Sequence, residues 1–170
     1  MNVRTHHQRP SVRRFSAGFT LVEMVVVMLL AAILVAVTAT RWDATDATAP
    51  SQADLLARNL RHMQMLAMSW GQSLRLTAAG GSYSVACVTV GVAPCNASPV
   101  IDPASGQAFL VTLSNNVTLS GGPISIDSLG RPVSGNSQIT TNTTYTLTAG
   151  TSTWSVTVRP ITGFVTVSSP

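Results

Sequence analysis

Charge is scarce in this 170-residue chain: Asp, Glu, Lys and Arg together make up 9% of it, and aromatic residues only 5%. With 45% hydrophobic residues and a positive mean hydropathy, the composition points to a membrane or assembly protein built around one core. Acids are missing altogether before Gly18, where Arg4, Arg9, Arg13 and Arg14 stand. Beyond Gly18, Arg41, Arg58, Arg61, Arg75, Arg131 and Arg159 are matched by Glu23, Asp43, Asp46, Asp54, Asp102 and Asp127, so the side-chain balance there is zero. The formal charge of +4 therefore belongs to the basic N-terminal segment. It does not argue for nucleic acid or an acidic substrate as partner.

Cysteine is nearly absent. Cys87 and Cys95 fall in a stretch that reads as strand, loop, strand. If that stretch lies outside the cytoplasm, a local disulfide would close a short loop and contribute about 2 kcal/mol; the alternative is two free thiols. Two cysteines without further ligands at usable spacing exclude a zinc centre. Histidine is equally sparse: His6 and His7 sit in the basic segment, and His62 has no second histidine or carboxylate at a helical metal spacing. No Ser/His/Asp or Cys/His set and no phosphate-binding loop is present, so neither enzymatic activity nor a metal or cofactor is expected. The Asn-x-Ser/Thr triplets at Asn96, Asn116 and Asn142 read as loop composition.

What is there is one long apolar run. From Phe19 to Thr40 the only charge in 22 residues is Glu23; as a helix this run extends about 33 Å, enough to span a bilayer. Arginines before it and Asp43 and Asp46 after it orient the span with its N-terminus in the cytoplasm. A secretory signal peptide carries its small-residue cleavage site after the apolar core, whereas Ala17-Gly18 precedes it. A plain signal anchor explains the topology but not Glu23, because an ionisable residue in an apolar helix costs about 2.5 to 3.5 kcal/mol near the centre unless partnered. Cutting after Gly18 would create a cationic amine on Phe19, and the Glu23 carboxylate of one subunit could then neutralise the amine of its neighbour.

Gly18 followed by Phe19-Thr20-Leu21-Val22-Glu23 and an aliphatic run resembles the signature of type IV pilins and type II secretion pseudopilins. The resemblance implies cleavage after Gly18 by a prepilin peptidase, N-methylation of Phe19, and an assembly role for Glu23. It also implies insertion in a bacterial inner membrane, with the C-terminal part periplasmic before it joins the tip of a pilus or pseudopilus. These are substrate residues, not catalytic ones.

Between Arg41 and Pro50 the chain turns polar, and Pro50 is expected to interrupt a continuous helix. Ser51 with Asp54 reads as a capping signal, after which Leu56, Leu60, Met63, Ala67 and Trp70 form one apolar helical stripe; Arg58 and Arg61 lie off it, and Gly71 ends the helix. From Leu74 onward Thr, Ser, Val and Gly dominate. Strands are expected over 74–77, 83–90, 109–113, 124–126, 145–147, 154–159 and 164–167, the last two forming a hairpin around Thr162-Gly163. The fold class is α+β, with a cleaved leader over 1–18, a transmembrane and assembly helix over 19–40, a polar linker and amphipathic helix over 41–71, and an antiparallel β domain over 72–170.

Ala57 to Met68, Arg75-Leu76, Tyr83, Asp127 to Pro132 and Pro160 to Val165 resemble the GspH/FimT group of minor pilins and pseudopilins. That resemblance implies a pilin fold and a low-abundance subunit that initiates or caps a filament by contacting other pilin or pseudopilin subunits. Gly130-Arg131 reads as a turn with a solvated arginine. Relatives with DNA-uptake roles carry two closely spaced arginines near the C-terminus, whereas the last hairpin here offers only Arg159, which argues against nucleic acid. A pilus-tip adhesin or DNA-uptake receptor is the alternative function, and an unprocessed, signal-anchored periplasmic domain is the third.

Overall fold

The computed structural model describes residues 20–39, 48–91 and 93–169, with side chains in the first helix described to Leu34. The chain divides into two compact units, Met1–Trp42 and Asp43–Pro170. In the first, helix α1 spans Leu21–Ala39.

The second unit begins with helix α2, Thr48–Trp70. Pro50 lies in its first turn rather than ending a preceding helix. The expected break fails at this residue because the first four N–H groups of a helix have no intrahelical acceptor, so a missing N–H there costs nothing. Ser51 is likewise no cap: its hydroxyl donates back to the Thr48 carbonyl at 2.8 Å. The buried face of α2 comprises Ala49, Ala53, Leu56, Ala57, Leu60, Met63, Leu66 and Ala67, which extends the expected stripe by two turns toward the N-terminus; Trp70 is only partly buried. Gly71 adopts φ +64° and the Gln72 N–H bonds the Ala67 carbonyl at 3.2 Å, a Schellman closure that requires the left-handed conformation glycine supplies.

Among the described residues ten strands follow: β1 Leu74–Ala78, β2 Ser82–Cys87, β3 Leu110–Thr112, β4 Thr118–Ser120, β5 Ile124–Ile126, β6 Pro132–Ser134, β7 Ser137–Gln138, β8 Thr143–Ala149, β9 Ser152–Val158 and β10 Val165–Ser168. They form two sheets, ordered β3-β2-β1-β5-β6-β7 and β10-β9-β8-β4, and every pairing is antiparallel. Helix α2 packs on β8, β9 and β10 of the second sheet and on β1 and β5 of the first. Alternation does the work in the longer strands: Tyr145, Leu147 and Ala149 of β8 and Val156 and Val158 of β9 point inward and are buried, while the intervening threonines and serines do not. The expected strand over 83–90 stops at Cys87, and β4, β6 and β7 were not expected because two or three residues carry too little pattern to register.

Candidate functional site

Gly18 and Phe19 lie outside the described residues. At Thr20, where description begins, the side-chain oxygen accepts a hydrogen bond from the Glu23 N–H at 3.3 Å, and the Thr20 carbonyl accepts from Glu23 and Met24 at 3.1 and 3.2 Å. Thr20 is therefore the N-cap of α1 and Glu23 its third helical residue, the Thr-x-x-Glu spacing of a capping box. In that first turn a carboxylate also complements the positive end of the helix dipole. Weighing Glu23 only as a charge in search of a partner missed Thr20, whose signal stood three residues upstream. The large side chains of α1 from Leu21 to Leu34 are all more than half exposed, and apolar surface of this extent calls for cover by lipid or protein. Among the described residues no helix is long and apolar enough to cross a membrane; the run expected to span, 19–40, reaches past the residues whose side chains are described.

A second constellation joins the two sheets. The Gln64 side chain, on α2, donates through Nε2 to the carbonyls of Gly130 at 3.1 Å and Gly163 at 3.0 Å. Gly130 lies in the β5–β6 turn and Gly163 in the β9–β10 turn, so one amide clasps both sheets to one helix. The left-handed backbone, φ +78° at Gly130 and +66° at Gly163, favours glycine at both positions, and an added Cβ would press on the Met68 sulfur at Gly130 and displace the Gln64 amide at Gly163. The β5–β6 turn is tied by Asp127, which accepts from the Leu129 and Arg131 N–H groups at 3.0 and 2.8 Å and from the Arg131 guanidinium at 2.9 Å. Burial raises the Asp127 pKa, but these bonds outweigh it and hold the carboxyl below its usual range. Arg131 is exposed, as expected of a solvated arginine, and is ion-paired with Asp127 within its own turn. Met65, Met68, Leu129, Ile161 and Phe164, all more than half exposed, belong to this end of α2 and to the two turns. Sequence reading singled out both turns but not the glutamine that joins them, because a lone Gln on a helix carries no spacing signal.

The third constellation is His62 with Asp102. His62 Nε2 lies 2.9 Å from Asp102 Oδ1, and its ring sits 5.7 Å from that of Phe109. Asp102 is 40 residues away in sequence, which is why the helix pattern left His62 without a partner. Burial raises the Asp102 pKa, and the bonds from His62, the Ala104 N–H and the Ser105 hydroxyl outweigh it, giving a net downward shift. Ser105 donates to the carboxylate at 3.2 Å, not to the imidazole. The order needed for nucleophilic catalysis places the imidazole between hydroxyl and carboxylate, so this trio pins the β2–β3 connection to α2 and activates no nucleophile. The same connection is fastened at its start by a disulfide between Cys87 and Cys95, whose Cα atoms are 5.6 Å apart. Among the described residues no three His, Cys, Asp or Glu side chains are grouped to hold a metal ion.

Residues 13–39 match the family model described as the prokaryotic N-terminal methylation motif. No curated protein matches the chain. Among solved structures, the type IV minor pilin FimU of Pseudomonas aeruginosa is similar with a TM-score of 0.51 and 13% identity, over 70% of this chain and 91% of that one. The minor pseudopilin EpsH from the type 2 secretion system of Vibrio cholerae is similar with a TM-score of 0.49 and 13% identity, over 72% and 98%. The likeness to FimU is one of fold: a helix laid on antiparallel sheets.

Proposed function

We propose that this chain, type IV pilin-like in its methylation motif and its fold, serves as a minor pilin or pseudopilin of the GspH/FimT group that initiates or caps a filament. The observation that carries this reading is the head of α1: a methylation motif over residues 13–39 leading into an apolar helix with Thr20 as its cap and Glu23 in its first turn. A prepilin peptidase cuts after Gly18, the Phe19 amine is methylated, and the Glu23 carboxylate meets the Phe19 amine of a neighbouring subunit. Until assembly the run over 19–40 anchors the chain in the inner membrane, basic segment inside and second unit in the periplasm, where a disulfide such as Cys87–Cys95 persists.

Loss of the gene tests the role. Filaments, or secretion through the corresponding machine, fall sharply when an initiating subunit is missing. Normal filament number with lost attachment or DNA uptake would instead identify the tip adhesin or receptor, and normal filaments with no such defect would refute both.

A further inference from the structure

On the outer face of the six-stranded sheet, Arg75 of β1 stands directly opposite Ser125 of β5, and Ser125 opposite Val133 of β6. That face is turned away from the core, into which Leu74, Leu76, Ile124 and Ile126 point, yet Ser125 is itself buried. Beside it opens a cleft of about 370 Å³, walled by the exposed Arg75 and Ser134 and by Ser125, Val133, Ile139 and Thr143 among others, a volume in the range of small-molecule sites.

The Arg75 guanidinium is a donor only, and the hydroxyls beside it can donate as well as accept. Arg75 Nε donates to Ser125 Oγ at 3.2 Å, which fixes the plane of the guanidinium and leaves the Ser125 proton free to donate elsewhere. The terminal nitrogens of Arg75 have no carboxylate within ion-pair distance among the described residues, where the ion pairs are His62 with Asp102 and Arg131 with Asp127. Ser134 and Thr143 also line the cleft, each with a hydroxyl able to donate, and no acid lines it.

We propose that this cleft is a binding site for a carboxylate carried on a small apolar body. A planar guanidinium held by a neighbouring hydroxyl receives a carboxylate through two parallel bonds. Ser125 and Thr143 donate to the remaining lone pairs, and Val133 and Ile139 cover the apolar part. One cation suits a monoanion better than a phosphate dianion, for which the cleft offers no second positive charge and which has no use for the apolar wall.

The test uses the full processed chain, ¹⁵N-labelled in an uncharged detergent, titrated at constant ionic strength with N-acetyl-leucine, with its neutral isostere N-acetyl-leucinamide, and with inorganic phosphate. The carboxylate is expected to shift the amides of Ser125, Ser134 and Thr143 saturably, with the amide analogue and phosphate at least tenfold weaker. Arg75→Gln should weaken the response at least tenfold and Arg75→Lys, which keeps the charge without the fork, by an intermediate factor, each with amide positions elsewhere unchanged. Equal responses to the carboxylate and its amide, equal or stronger binding of phosphate, no saturable shift, or an undiminished response in Arg75→Gln would each overturn the proposal.

Discussion

Glu23 sits where helix initiation and subunit assembly ask different things of one side chain. As the third residue of α1 it stands at the Thr-x-x-Glu spacing of a capping box, its own N–H bonded to the Thr20 hydroxyl oxygen, a position that glutamine suits as well. As the partner of a neighbour's amine it must carry charge. Glu23→Gln therefore separates the roles: incorporation into filaments, measured in sheared fractions, should fall at least tenfold, as with Glu23→Ala, while cleavage of the leader continues. Wild-type incorporation of Glu23→Gln would mean that capping is all the residue does. At Gln64 the two bonds to Gly130 and Gly163 are expected to contribute about 1 to 2 kcal/mol together, read as the loss in urea stability of Gln64→Ala. Gly163→Ala should cost about 2 kcal/mol, from left-handed backbone and the collision with Gln64. In the Gln64→Ala background that cost should shrink by at least about 0.5 kcal/mol, since the obstacle is gone. Asp102 and Asp127 both titrate below their ordinary value of 3.8 when folded. Their contribution is thus complete above that pH and is lost as pH falls through the lower folded values. Acid unfolding of Asp127→Asn should show lower stability at neutral pH and a shallower pH dependence below 4 than the native chain.

Among the elements, the buried stripe of α2 and the long strands β8 and β9 were legible because each repeats its pattern over several periods. Leu56, Leu60 and Met63 recur at helical spacing, and Tyr145 and Leu147 at strand spacing, although the expected strand over 145–147 covers only the middle of β8, Thr143–Ala149. The helix start was misread because Pro50 looks the same in a first turn as at a break; only the backbone distinguishes them. The division into two sheets could not be read, because it depends on which strands pair over long sequence separations, as β1 does with β5 and β4 with β8. Long-range fastenings stayed hidden for a related reason: His62–Asp102 and Gln64–Gly163 join residues 40 and 99 positions apart, and neither residue type announces a distant partner. For the Cys87–Cys95 element, replacing both cysteines by alanine should reduce stability by about 2 kcal/mol through loop-closure entropy, measured by urea unfolding against the oxidised native chain. An unchanged midpoint would show that His62 and the disulfide restrain the same loop redundantly.

At the scale of the whole molecule, the neutral balance beyond Gly18 and the two compact units describe a chain of two unlike parts: an apolar helix whose side chains are exposed from Leu21 to Leu34, and a sheet unit with its own core. The high positive charge is confined to residues before Gly18, so it disappears if that segment is removed. Everything proposed about assembly depends on that removal. The most direct measurement is the intact mass and N-terminal fragment spectrum of the chain purified from its native membrane. The expected result is a chain beginning at Phe19, one methyl group heavier at its amine, with the unprocessed form accumulating when Gly18→Asp is introduced. A chain that retains all 170 residues, or that is cut after the apolar run instead of before it, would contradict the central claim.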